Sequence, residues 1–155
     1  MDPESDQFGA SVALDEDTVI IGAPADDNPN GNSAGSAYVY TRSGTTWSRQ
    51  QKLLADDGDG FDDFGSVAVN GDTALIGASG DEDPNGEDAG SAYVFRRADG
   101  RWDQRCKLAA QDATADTVDR FGDFVALSDS TALIGAPSDE DPNGEDAGSA
   151  YVFVP

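Results

Sequence analysis

The sequence predicts an all-β fold of the β-propeller type, with three four-stranded antiparallel blades, the last one incomplete, and about 11 strands. Three observations predict this fold. A pattern recurs three times along the 155 residues, as in solenoids and propellers. Each copy contains short apolar segments of strand character between turn residues. Finally, the chain has 18 glycines, and its acidic residues are mostly aspartate, which favours turns over helix interiors.

Two short motifs anchor each repeat. Phe-Gly recurs at intervals of 56 and 57 residues, and Gly-Ala-Pro or Gly-Ala-Ser follows at a nearly constant offset. We therefore expect one domain over residues 1–155, with repeat units at about 7–62, 63–119 and 120–155. The structural motif positions are Phe8, Gly9, Gly22, Pro24, Phe64, Gly65, Gly77, Phe121, Gly122, Gly135 and Pro137.

The second unit shows the four predicted strands most clearly. They are Gly65–Val69, Thr73–Ala78, Ser91–Arg96 and Trp102–Leu108. Asn-Gly-Asp after the first strand is a tight hairpin signal. The second strand is apolar throughout, as expected for a strand covered on both faces, whereas the fourth is mostly polar and indicates an outer edge. The repeat spacing of Trp47 and Trp102 indicates a structural role in the blade.

The third unit ends at Pro155, before a fourth strand of this kind. Closed propellers usually need about four or more blades, and exposed blade faces or unpaired edges associate readily. We therefore expect either that the chain is part of a longer propeller or that two copies form a six-bladed ring, a homodimer. An open stack of three units is a third alternative, against which the lack of polar terminal caps argues.

The charge of the chain excludes some partners. It has 31 acidic and 9 basic residues, with a net charge of −22. Such a charge repels nucleic acid and anionic membrane surfaces. Molar salt, where the Debye length is about 3 Å, screens the self-repulsion, and bound divalent cations would neutralise part of it. Acids scattered over every loop favour the first interpretation, a halophilic protein, since a few metal sites could not neutralise so many charges.

The residue types present also argue against catalysis. The chain has no histidine and a single cysteine, Cys106, which excludes an internal disulfide, a typical zinc site and histidine-based chemistry. No nucleophile or phosphate-binding motif is found, so we expect no enzyme. We expect no membrane insertion, because no apolar run is long enough to span a bilayer, and the start of the chain has no signal-peptide pattern.

The combination of motifs resembles a known family. Phe-Gly followed by Gly-Ala-Pro, in units of this length, resembles the FG-GAP repeats of the integrin alpha-chain propeller. The order DTALIGA, acidic loop, GSAYVF and W…KL resembles the FG-GAP repeat proteins of prokaryotes, of the haloarchaeal type, more closely than it resembles the integrin repeats. The resemblance covers about residues 7–153. It implies a β-propeller, usually extracellular or at the cell surface, that serves adhesion or ligand binding and often holds calcium in its blade loops.

One departure concerns calcium. In the integrin-type repeat an Asp-x-Asp-x-Asp-Gly loop precedes the Gly-Ala-Pro strand, whereas here short turns stand there and an acidic loop follows that strand. The acidic loop has its own calcium-like spacing at positions one, three, five and six. The candidate ligands are Asp26, Asn28 and Asn30, then Asp81, Asp83 and Asn85 with Asp88, and Asp139, Asp141 and Asn143 with Asp146.

Two interpretations of the acidic loop stay open. Calcium takes about six to eight oxygen ligands, and the loop offers about four. Asp-Pro-Asn-Gly is also strong turn chemistry without any metal, and this plain turn is favoured. A second candidate site comprises Asp57, Asp59 and Asp63, for which an acidic linker is the alternative. Magnesium or sodium would suit either place.

The sequence therefore leaves two hypotheses about function. The first is a non-catalytic binding or adhesion module that contacts a protein or a glycan through loops at one face. The second is a structural propeller segment that self-associates or completes a longer chain, with its acidity as salt adaptation.

Overall fold

A computed structural model describes residues 5–82, 89–111, 118–140, 144 and 147–154. Within these residues the chain forms eleven strands and no helix, which confirms the predicted all-β class. The strands are β1 (Ser11–Asp15), β2 (Thr18–Ala23), β3 (Ser36–Ser43), β4 (Thr46–Leu53), β5 (Phe64–Asn70), β6 (Thr73–Ala78), β7 (Ser91–Ala98), β8 (Arg101–Leu108), β9 (Phe124–Ser128), β10 (Thr131–Ala136) and β11 (Ser149–Phe153).

The strands form three antiparallel meanders. The strand orders are β1-β2-β3-β4, β5-β6-β7-β8 and β9-β10-β11, which we call the first, second and third sheets. Tight turns join the first two strands of each sheet, with positive φ at Glu16, Gly71 and Asp129. The hairpin predicted at Asn-Gly-Asp is thus present. The sheets are open, as expected for incomplete propeller blades.

The three sheets pack face to face through two apolar clusters. One cluster joins the first sheet to the second, and its largest buried members include Ile20, Val39, Phe64, Tyr93 and Trp102. The other joins the second sheet to the third and includes Leu75, Phe121 and Ile134. The second sheet is therefore covered on both faces, while the first and third sheets are covered on one face each.

Two glycines of the repeat motif allow adjacent sheets to approach closely. A Cβ added at Gly22 would lie 1.8 Å from the Gly65 carbonyl oxygen, and one at Gly77 would lie 1.8 Å from the Gly122 carbonyl oxygen. Real Cβ atoms do not tolerate such contacts, so only glycine fits at these two positions. The Gly-Ala segment of one sheet therefore packs directly on the Phe-Gly segment of the next.

The end sheets expose residues that the middle sheet buries. Phe64 and Phe121 are fully buried, as expected for packing between blades, but Phe8 is 53% exposed. Trp102 is 1% exposed, whereas its repeat partner Trp47 is 41% exposed. Phe8 and Trp47 are less covered because no preceding sheet packs on the first one in the structure. Phe8 still packs edge-on against Tyr38, and the Arg42 guanidinium lies over the Trp47 ring.

Candidate functional site

The first aspartate of each acidic loop lies buried directly after its Gly-Ala strand. Asp26, Asp81 and Asp139 are 5%, 4% and 7% exposed. In each case the backbone N–H donates to the alanine that ends the strand, and the backbone carbonyl accepts from the glycine that ends the loop. The three residues thus occupy equivalent places, and the acidic loop begins from an interior carboxylate instead of a solvated one.

In the first two sheets a lysine of the outer strand neutralises this carboxylate. Lys52 Nζ lies 2.6 Å from Asp26 Oδ2, and Lys107 Nζ lies 2.6 Å from Asp81 Oδ2. Burial alone would lower the pKa of each lysine, but the adjacent carboxylates outweigh it and raise both pKa values. These are the two lysines of the whole chain, so both lysine ammonium groups form such a pair.

A tyrosine of the third strand adds a hydrogen bond to each buried carboxylate. The Tyr93 hydroxyl donates to Asp81 Oδ2 over 3.1 Å, and the Tyr151 hydroxyl donates to Asp139 Oδ2 over 2.9 Å. Burial, followed by the nearby Asp81 charge, raises the pKa of Tyr93, so its hydroxyl stays a donor. The described part of the third sheet has no outer strand, and Asp139 has no lysine partner there.

The next two candidate ligands in the first loop are engaged within the chain. Asn28 Oδ1 accepts from the Asn30 backbone N–H over 2.8 Å, and Asn28 Nδ2 donates to the Gly35 carbonyl over 2.7 Å. Asn30 Nδ2 donates to the Ala55 carbonyl over 2.8 Å. The loop is therefore closed by its own amide groups, as in an Asx turn.

The sequence prediction also included six residues that lie outside the described part of the chain: Asp83, Asn85, Asp88, Asp141, Asn143 and Asp146. Among the described residues, no group of three or more acidic or cysteine side chains is arranged to hold a metal ion.

The second candidate site does not gather its three aspartates around one point. Asp57 Oδ2 lies 3.1 Å from Lys107 Nζ; burial would raise the pKa of Asp57, but this lysine lowers it. Asp59 Oδ1 accepts from the Gly60 backbone N–H over 2.7 Å. Asp63 is exposed and lies at the mouth of a cleft.

Sequence reasoning missed Asp62, the buried carboxylate of this segment. Asp62 is 2% exposed, and its Oδ2 accepts from the Asp59 backbone N–H over 2.6 Å. Burial, together with the Asp81 charge, raises its pKa to about 6. An available signal was its recurrence two residues before each Phe-Gly motif, at Asp6, Asp62 and Asp119.

A cleft of about 370 Å³ lies where the three sheets converge. Its lining includes Gln7, Asp63 and Arg120, each the residue before the phenylalanine of a Phe-Gly motif. All three have positive φ, at 54°, 55° and 57°, an uncommon conformation for residues other than glycine that is found often at functional sites. The residue at this repeat position therefore lines the same cleft in all three repeats.

The chemistry of these three positions differs while their surroundings repeat. Gln7 carries an amide, Asp63 a carboxylate and Arg120 a guanidinium, whose Nη2 lies 3.5 Å from Asp123 Oδ1. The cleft therefore offers donors and acceptors of both signs at one place. Sequence reasoning missed it, although the variation at a fixed position beside an invariant motif was visible.

Comparison with known proteins identifies the family. A model of the FG-GAP repeat matches residues 3–40, 47–95 and 102–153, which is most of the chain. The chain belongs to the FG-GAP repeat family. No curated protein matches it. FG-GAP repeats form β-propeller modules, which agrees with the three open sheets. Modules of this family are typically of an extracellular type and are generally not enzymes.

The family matches differ in how they lie on the sheets. The second and third matches begin at Trp47 and Trp102, on the outer strands β4 and β8, and continue through three strands of the following sheet. These two matches therefore each span two sheets, whereas the first match, residues 3–40, reaches only strands β1 to β3 of the first sheet. None of the described residues forms a helix long and apolar enough to cross a membrane.

Proposed function

We propose that this FG-GAP chain is a non-catalytic binding module, extracellular or at the cell surface, that contacts a glycan or a protein through the central cleft. The observation that carries the proposal is the convergence of Gln7, Asp63 and Arg120 on that cleft. Ligand sites commonly form where repeated elements meet and a few polar groups converge. Three different side chains at this repeat position give the cleft an asymmetric lining, as recognition of an asymmetric ligand requires.

Arg120 supports an acidic ligand group at this site. It is one of only 9 basic residues against 31 acidic ones, and a guanidinium binds carboxylates with a fixed fork of donors. The cleft lining also contains Asp63 and Asp123, so Arg120 is the cation among these three charged side chains, and the N–H groups of its guanidinium are the donors that an acidic ligand group would use. Neutral hydroxyl groups of a sugar would find acceptors at the same carboxylates.

The test is binding to an array of neutral and acidic oligosaccharides and purified cell-surface proteins, probed in molar potassium chloride. Arg120→Asn is the informative variant because asparagine tolerates positive φ. Arg101→Gln is the matched control, since it also removes one positive charge and its side chain is 75% exposed on β8, outside the cleft lining.

We expect the unmodified chain and R101Q to bind the same array members and R120N to lose at least about tenfold in affinity, a difference of about 1.4 kcal/mol. Equal binding by R120N and R101Q would place the ligand elsewhere. Binding to no array member would count against the module being a glycan or surface-protein binder.

We further infer that salt, more than calcium, compensates the acidity of the chain. The support is that lysines occupy the first carboxylate of the acidic loop in two sheets, where calcium would need a free ligand. Circular dichroism in low salt tests this inference. Recovery of the β spectrum by molar potassium chloride alone is expected, whereas recovery by millimolar calcium alone would contradict it.

A further inference from the structure

The two ends of the molecule expose apolar faces that its interior contacts bury. The leading face belongs to the first sheet and includes Phe8, Val12, Leu14 and Trp47, which are 53%, 68%, 68% and 41% exposed. The trailing face belongs to the third sheet and includes Phe124, Leu133 and Val152, which are 67%, 44% and 64% exposed. Apolar groups of this size in one contiguous face mark an interaction surface.

The interior of the molecule shows what covers a leading face. In the second sheet the repeat equivalents of Phe8 and Trp47 are Phe64 and Trp102, which are 0% and 1% exposed. Val67 takes the place of Val12 in the strand register, because it pairs with Ile76 as Val12 pairs with Ile21, and it is 5% exposed. A leading face is therefore built to receive the trailing face of another sheet.

The interior shows equally what covers a trailing face. Leu75 in the second sheet is fully buried against the third sheet, whereas Leu133, in the identical strand TALIGA, is 44% exposed. Apart from Phe124, which stands where the other two sheets have Ser11 and Ser66, both end faces thus consist of residues whose repeat equivalents already form an interface within this chain.

Gly135 supplies an independent observation. At its equivalents, Gly22 and Gly77, glycine is required because a Phe-Gly segment of the next sheet lies against it. An added Cβ at Gly135 would meet only Phe124, at 3.4 Å or more, and no positive φ requires glycine there. At the other end, nothing lies within 4 Å of a Cβ added at Gly9 in the first Phe-Gly motif. Each end of the molecule therefore has one glycine of such a contact without the facing glycine.

We propose that the leading face of one copy of this chain docks on the trailing face of a second copy, head to tail, with Gly9 of the one against Gly135 of the other. The second copy is the occupant because it carries the complementary face in the register already seen twice within the chain. Two copies would bring six sheets together, within the range of about four to eight blades in closed propellers. Such a closed pair buries both apolar faces at once.

The charge of the chain sets the condition for docking. Two copies that each carry −22 repel one another, and this repulsion is screened within about 3 Å only in molar salt. Association is therefore expected to strengthen with ionic strength, since the contact itself is apolar.

The first experiment measures mass by light scattering on the unmodified chain across protein concentration in molar potassium chloride. A mass of two copies is expected. Val12→Gln/Leu14→Gln changes the leading face at exposed positions, and Gly135→Ala changes the trailing face; both are expected to give the mass of one copy. Thr45→Ala, in the exposed turn before β4, is the matched control and is expected to keep the mass of two.

Mixing the two defective variants tests the direction of docking. Each variant keeps one intact face, so the mixture is expected to regain a two-copy species through one good contact, which a symmetric contact between identical faces could not do. A chain that stays at the mass of one copy in molar salt at every concentration overturns the proposal, and so does a mixture that regains nothing.

Trp47 provides a readout at the contact itself. The chain has two tryptophans, and Trp102→Phe leaves Trp47 as the single emitter; the buried Trp102 Nε1 has no hydrogen-bond partner, so phenylalanine leaves no group unpaired. A blue shift of Trp47 emission with rising concentration is expected, and it should vanish in V12Q/L14Q. Emission that does not change with concentration, while light scattering gives the mass of two, would mean that another surface forms the contact.

Discussion

Strands β6 and β10 have the same six residues, TALIGA, but different surroundings. Every residue of β6 is buried, whereas β10 alternates between covered and accessible positions. The difference arises because β6 lies between two sheets and β10 has a neighbour on one side. The same letters therefore specify a strand and its pairing in both places, while burial is decided by what packs on the second face.

The fifteen-residue sequence that occurs twice, at 81–95 and 139–153, shows the same contrast at its first residue. Asp81 has a lysine and a tyrosine as partners, but Asp139 has the tyrosine without a lysine. A repeated motif thus fixes the place of a carboxylate but not its charge partner, because the lysine comes from a later strand.

The largest effect is expected from a substitution that breaks the contact by which β6 differs from β10. Gly77→Ala would place a Cβ 1.8 Å from the Gly122 carbonyl oxygen, a backbone clash expected to cost at least about 3 kcal/mol in the free energy of unfolding. Gly135→Ala is the matched control and should change it by less than about 1 kcal/mol. Urea unfolding of dilute samples in molar salt measures both, and equal losses would contradict the packing described.

The intermediate effect concerns the carboxylates Asp81 and Asp139. Lys107→Met leaves Asp81 buried without its cation and is expected to cost about 2 kcal/mol, less than for a wholly buried pair because the Lys107 side chain is 27% exposed. The double variant Lys107→Met/Asp81→Asn should recover most of the loss, since residue 81 then carries no charge that lacks a partner. A double variant no more stable than Lys107→Met alone would show that the loss does not come from an unpaired Asp81 carboxylate.

The smallest effect is a pH dependence at Asp62, beside Asp81. Because its native pKa of about 6 lies above the ordinary value of 3.8, folding favours the protonated form. The unfolded chain loses this proton first as pH rises, so the contribution of Asp62 to stability falls between about pH 4 and 6 and is constant above that window.

Asp62→Asn removes this dependence and keeps an acceptor for the Asp59 N–H. The variant is expected to be about 1–2 kcal/mol more stable than the unmodified chain at pH 7 and equal to it near pH 4. Chemical unfolding across that range measures the difference. A difference in stability that is the same at both pH values would mean that folding does not raise the pKa of Asp62.

Much of the fold was predictable because the signals are local. The hairpin before β6 follows from Asn70-Gly71-Asp72, and the outer position of β8 follows from its polar residues. The candidate site was predicted less well. The spacing of Asp26, Asn28 and Asn30 indicated a cation loop, but spacing cannot show that Lys52 and the loop's own amides already bind those side chains.

The sequence by itself determined the strands, their antiparallel pairing and the threefold repetition, because turn chemistry and apolar patterning act over a few residues. Only the tertiary structure decided which copies are covered, which carboxylate receives a lysine and where Gln7, Asp63 and Arg120 meet. These outcomes depend on contacts between residues 26 to 57 positions apart, whose distance in space no local pattern encodes.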